Sequence, residues 1–218
     1  MLSRFGYIST FTKGLSIENF INIVLDSLKI VTFWEAFAMT LSILYLLLAI
    51  KQNIWCWVAG FFSTLIYTIL FYDALLLMDS FLNLYYLLMS IYGWYSWKYT
   101  NKLIEKKNLE ISKLSLKTNL NSILILTFLS IILGYIMDNY TQAQYAYLDT
   151  FTTVFAIFST FLLAKKILEN WLYWIVIDTI SVYIYINKGF YITSILFIFY
   201  TILAFIAYIN WKKVYANN

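Results

Sequence analysis

The 218-residue sequence contains no histidine, no proline and a single cysteine, Cys56. Neither a Cys/His metal site nor a Ser-His or Cys-His catalytic pair is therefore available. No disulfide can close within the chain, so cysteine usage carries no message about redox compartment. Without proline, every long apolar stretch is free to run as an unbroken helix. Charge is scarce too: 12% of the residues are Asp, Glu, Lys or Arg, against about 25% in an average soluble domain. The phosphate-cradling pattern G-x-x-x-x-G-K-[ST] is missing, which argues against ATP-driven pumping by this chain alone. The net charge of +4 does not point to nucleic acid.

Apolar bulk fills the space that charge leaves. Hydrophobic residues make up 62% of the chain, and 20 Tyr, 18 Phe and 8 Trp are among them. A soluble fold cannot hide so much apolar surface, whereas lipid acts as its solvent. Amphipathic rings sit well at the headgroup boundary, and the surplus is available to line a path. A span needs about 20 mostly apolar residues. Seven are expected: Phe33 to Ile50, Ile54 to Tyr72, Leu75 to Trp97, Ser122 to Met137, Tyr147 to Ala164, Trp171 to Asn187, and Tyr191 to Trp211. Residues 1–31 lack the compact apolar core and small-residue cleavage site of a signal peptide. There Ile17, Phe20, Ile21, Val24, Leu25 and Leu28 recur at helical spacing, which predicts an interfacial or packed pre-helix.

Basic residues set an orientation. Lys98, Lys102, Lys106, Lys107, Lys113 and Lys117 crowd the connection after the third span, while the stretch Asp138 to Tyr145 carries no Lys or Arg. The positive-inside rule then puts the N-terminus outside and the C-terminus in the cytoplasm, with the Lys-rich stretch as a solvated loop. An internal repeat fits this topology. Asn53-Ile54-Trp55-Cys56-Trp57 opens the second span, as Asn170-Trp171-Leu172-Tyr173-Trp174 opens the sixth. The third and seventh spans both close in Trp-Lys, at Trp97-Lys98 and Trp211-Lys212. The fold expected is all-α, with seven transmembrane helices in a 3+1+3 order of two parallel three-helix repeats. Its parts are an N-terminal interfacial segment (1–31), a first repeat (32–97), a Lys-rich cytoplasmic loop (98–121), a linker helix (122–140) and a second repeat (147–218).

Polar groups inside the spans are the candidates for function. Asp178 lies about two helical turns from either end of the sixth span, where a carboxylate costs ~2.5–3.5 kcal/mol on insertion scales. Trp174, Ser181 and Tyr185 share its helical face at spacings of three and four. The third span offers Asp79, Asn83 and Tyr86, and the fifth offers Asp149, Thr152 and Thr153. Rings around a carboxylate suit a flat cationic heteroaromatic solute, held by stacking and cation–π attraction. Amides and hydroxyls suit its substituents.

At these residues the sequence resembles the PnuC family of bacterial vitamin transporters. Asn83-Leu84-Tyr85-Tyr86 running to Ile91-Tyr92-Gly93-Trp94-Tyr95-Ser96-Trp97 is one signature; Glu169-Asn170-Trp171-Leu172-Tyr173-Trp174, continuing to Asp178, Ser181 and Tyr183, is the other. Asp149 and Lys188-Gly189 also fit, and the likeness runs from Trp34 to Lys213. It implies a SWEET-like seven-helix carrier that moves nicotinamide riboside across the inner membrane by facilitated diffusion. No ion coupling, cofactor or enzyme activity is implied. The partners it implies are the vitamin, membrane lipid and further copies of the chain, trimeric in some members. Trp171 joins the implied substrate-binding set of Trp174, Asp178, Asn83, Tyr86, Ser181, Asp149, Thr153 and Tyr185. Two positions depart from the family pattern: Asp178 stands where nicotinamide riboside carriers typically have Asn, and Asn83 where Gln is frequent. A related branch carries thiamine, whose exocyclic amine would donate to a carboxylate, so thiamine is the alternative substrate. Two other readings compete: an intramembrane enzyme built on an Asp79/Asp178 dyad, and a binding subunit of an ATP-driven importer.

Overall fold

The computed structural model describes residues 31–73, 77–99, 109–141 and 143–217. The expected N-terminal segment, apart from residue 31, and residues 100–108 of the Lys-rich connection lie outside these residues. Among the described residues seven α-helices follow one another: α1 (Phe33–Ile50), α2 (Cys56–Asp73), α3 (Leu77–Tyr99), α4 (Leu116–Tyr140), α5 (Ala146–Ala164), α6 (Asn170–Asn187) and α7 (Tyr191–Ala216). The only pairing of strand type among the described residues is an isolated bridge between Ser112 and Ile167. Five helices are long and apolar enough to cross a membrane by length and composition: α1, α2, α4, α5 and the Thr193–Ala216 part of α7. α3 and α6 fall outside that set because they carry Asp79, Asn83 and Asp178 among their apolar residues.

Local chemistry fixes where helices begin. Thr32 and Glu35 form a reciprocal capping box at α1, with bonds of 2.9 and 3.2 Å that satisfy two end N–H groups. α4 starts earlier than its apolar run suggests. The Ser115 hydroxyl accepts from Thr118 N, so the helix opens six residues ahead of Ser122 and lifts Lys117 and Asn119 onto its first turns. α1 packs on α2 and α2 on α3; α4 packs on α5, α5 on α6 and α6 on α7. α3 also meets α5, and α1 meets α7. Small residues permit these approaches, as expected where lipid removes the hydrophobic drive between helices. The Ser63 hydroxyl of α2 donates to Ala38 O of α1 at 2.8 Å. At Gly93, a Cβ would sit 2.4 Å from the Trp57 indole, so glycine is needed for α3 to accept that ring.

The lysine-bearing end of the bundle is closed by four buried indoles. Trp57 meets Trp97 edge-on (5.4 Å, 86°), Trp171 meets Trp211 the same way (5.4 Å, 84°), and Trp97 abuts Trp211 (6.3 Å). Trp171 follows Trp57 by 114 positions and Trp211 follows Trp97 by the same 114. The backbone repeats at that spacing too. Gln52 N bonds Ala49 O and Asn53 N bonds Leu48 O; Lys166 N bonds Leu163 O and Ile167 N bonds Leu162 O. Gln52 (φ 53°) and Lys166 (φ 52°) both sit in the left-handed region. The shared pattern therefore pairs Trp57 with Trp171, three residues away from the sequence alignment that put it opposite Trp174. Identical letters misled there, because Asn and Trp are common at span ends.

The stretch expected as a solvated Lys-rich loop is docked along its second half. Ser112 N bonds Lys166 O (3.0 Å), Leu168 N bonds Ser112 O (2.9 Å), and Leu114 N bonds the Glu169 carboxylate (3.0 Å). Ile111 between them is buried in the tryptophan cluster. Residues 109–114 are thus a strap across the α5–α6 turn rather than free chain.

Candidate functional site

Asp178 faces inward. It is 4% exposed, although α6 is lipid-facing at Leu172, Val176 and Tyr183. No donor among the described residues bonds its carboxylate, and none bonds the buried Ser181 hydroxyl three residues on. Buried polar groups are nearly always satisfied, so this pair is an acid and a hydroxyl presented without a partner among the described residues. Around them, Trp174 and Tyr86 are half-buried and pack on a buried cluster that includes Phe155, Tyr173 and Ile177. Tyr86 of α3 and Tyr200 of α7 both lie within electrostatic reach of Asp178. Tyr200, unlike Tyr86, escaped the sequence reading. Its hydroxyl is joined to Ser42 of α1 at 2.7 Å. It stands 114 positions after Tyr86, so the correct repeat register would have found it.

The α2 face that corresponds to this one is shut. Thr64, opposite Asp178 at the same spacing, donates to Gly60 O in its own helix (2.8 Å). Gly60, the counterpart of Trp174, is covered by the Tyr45 ring, which a Cβ there would meet at 3.0 Å.

The other predicted residues, apart from Trp171, form a second set. Asn83 is half-buried on α3 and donates to Asp79 O at 2.9 Å. Thr153 donates to Asp149 O at 2.8 Å, and Asp149 pairs with Lys188 at 2.8 Å, linking the first turn of α5 to the end of α6. Asp79 feels the charges of Asp149 and Lys188, and Tyr185, stacked on Phe197 (5.2 Å), feels both acids. These groups gather at the end opposite the tryptophan cluster. Trp171 does not join either set. It is fully buried against Trp211, with its indole N–H unpaired, and acts as core. An open cavity of about 270 Å³ lies between α4, α5 and α6, touching Thr127, Ser130, Tyr147, Phe151 and Ile180. Ile180 is two residues from Asp178, hence on the opposite side of α6, so that cavity is a separate, apolar feature of the outer surface.

Comparison with known proteins agrees with this architecture. A solved structure described as the crystal structure of the vitamin B3 transporter PnuC matches with a TM-score of 0.71 at 19% identity, over 90% of this chain and 88% of that one. Nicotinamide riboside transporters PnuC of Escherichia coli (strain K12) and Shigella flexneri are each 25% identical over 208 residues, spanning 84% of this chain and 85% of theirs. The family model for the nicotinamide mononucleotide transporter matches residues 32–213, all seven helices but the last few residues of α7. This chain, a multi-pass membrane transporter, belongs to the nicotinamide mononucleotide transporter family.

Proposed function

We propose that the protein takes up nicotinamide riboside by facilitated diffusion across the bacterial inner membrane, with Asp178 at the centre of the site. The observation that carries this is the buried carboxylate of Asp178, which shares its face with Ser181 and Trp174 and has no protein donor among the described residues. A solute that brings a positive ring and hydroxyl donors offsets the cost of such a group; neither lipid nor a packed helix does. Tyr86 and Trp174 supply ring faces, and Asn83 and Ser181 supply hydrogen bonds to ribose and carboxamide. The names of the curated relatives support the riboside. The family description names the mononucleotide instead. Charge argues for the riboside: among the described residues Asp79 and Asp149 face one ammonium, that of Lys188, at one end, and Asp178 waits inside. A phosphate dianion would meet like charge along that route.

Thiamine is the second reading, favoured by the carboxylate itself, which accepts from an aminopyrimidine amine. The acid-dyad enzyme gains no support, since the charges felt by Asp79 are those of Asp149 and Lys188. The two-unit plan is supported by the backbone pattern that recurs at 114 residues. The N-out, C-in orientation rests on the lysines, and a homotrimer on the family resemblance. Titration of monodisperse, detergent-solubilised protein with nicotinamide riboside, its 5′-phosphate and thiamine, followed by tryptophan quenching, tests the substrate. Saturable quenching by the riboside, and none by the phosphate, is expected. Saturation by thiamine alone would reassign the substrate, and binding of none of the three would overturn the reading.

A further inference from the structure

Hydrogen bonds between the α1–α3 and α5–α7 halves concentrate at the tryptophan end. The Trp97 indole donates to Leu163 O (3.4 Å) and the Trp211 indole to Ala49 O (3.2 Å), a reciprocal exchange of equivalent groups. Ser96 donates to Ala164 O at 2.9 Å. Between them, Lys166 Nζ donates to Gln52 Oε1 at 3.2 Å and lies 4.7 Å from the Trp97 ring centroid. Gln52 and Lys166 are the two left-handed residues that the 114-residue spacing makes equivalent, so the contact joins matching points of the two halves. An ammonium only donates, which fixes the Gln52 amide with its oxygen toward Lys166. The strap at residues 109–114 holds the Lys166 turn from outside.

We infer that Lys166 is a releasable latch at this end of the transporter: Gln52 holds its ammonium in the closed arrangement, and the buried charge is what lets the end open. A carrier must open each end in turn, and a seal of indoles alone gains nothing by opening. Lys166 is different. Only 8% of it is exposed, and among the described residues its ammonium meets one neutral amide oxygen and one ring face. Burial lowers the pKa of its ammonium below the usual lysine value. On opening it exchanges these contacts for water, so hydration of the charge offsets what the closed state loses. The two closed and open arrangements are thereby brought near balance. The latch works whichever vitamin is carried and whichever way the chain is oriented.

Two substitutions separate a latch from a plain packing contact. Gln52→Leu leaves the ammonium buried without an acceptor and favours opening. Lys166→Met keeps the stem on Trp97 but removes the charge that gains from hydration, and favours closure. Cys56, the single cysteine, is fully buried within the same cluster and reports on opening. Its alkylation by N-ethylmaleimide is followed in detergent, without substrate, on protein verified as monodisperse and scaled to the unfolded chain. Gln52→Leu is expected to react about tenfold faster than wild type, as loss of a charged hydrogen-bond partner implies, and Lys166→Met more slowly. Faster reaction in Lys166→Met, or no acceleration in Gln52→Leu, would overturn the latch. Riboside titration of the same samples reports separately on the proposed substrate.

Discussion

Asp178→Ala removes the carboxylate on which the proposed site depends, and its two effects have opposite signs. Two unit charges about 5 Å apart interact by ~3 kcal/mol at an effective dielectric constant near 20. Spread over a delocalised ring, and lessened by water entering with the solute, the net loss falls in the range of a charge-assisted hydrogen bond, about 1.5–3 kcal/mol. Affinity for the vitamin should therefore drop roughly 10- to 100-fold. Stability should not follow it down. No described donor is orphaned by the substitution, because none bonds the acid, and a buried polar group is removed along with its burial cost. The assay is a thermal unfolding scan of detergent-purified protein with and without nicotinamide riboside. The apo midpoint should stay level or rise, while the ligand-induced increase largely disappears. A fall in the apo midpoint with affinity unchanged would refute the reasoning and make Asp178 a structural acid.

Other substitutions probe neighbouring parts of the structure. Asp178→Asn should spare nicotinamide riboside within a few-fold and weaken thiamine more, since the aminopyrimidine amine loses its anionic acceptor; competition binding distinguishes the two. Gly93→Ala forces a methyl group against the Trp57 indole and should cost about 1–3 kcal/mol, read as a lowered thermal midpoint. Lys188→Met, at a partly exposed ion pair, should change stability by less than ~1 kcal/mol, and a large loss would show that the outer cluster is structural. Because burial holds the Lys166 pKa below its unfolded value, the unfolded chain binds more protons just below pH ~10.5. Stability should rise with pH across that window, and the rise should flatten in Lys166→Met.

The membrane architecture was legible because uninterrupted apolar runs leave no other fold, and the seven expected spans appear as seven helices. Helix ends were less so. α4 begins at Leu116 because Ser115 caps it, a local bond stronger than the hydropathy that put the start at Ser122. The docking of residues 109–114 had no sequence signal, since it is made by backbone groups meeting a turn more than 50 positions on. Asp178 stood out because a lone acid in an apolar run is costly wherever it points, and its inward placement with Trp174 and Ser181 follows from helical periodicity. Trp171 shares the face of Asp178 but stands about two turns further along α6, at the depth of the indole cluster that buries it, and a tryptophan on a signature string carries no sign of that depth. Pairings such as Asp149 with Lys188 and Ser42 with Tyr200 join distant helices, and composition alone does not encode them.

The most direct test is a structure of the protein with nicotinamide riboside bound. The pyridinium ring should lie within about 6 Å of the Trp174 or Tyr86 ring, with the Asp178 carboxylate facing the ligand. A vitamin found instead in the groove between α4, α5 and α6 beside Thr127 and Ile180, with Asp178 still solvent-free and unpaired, would contradict the account.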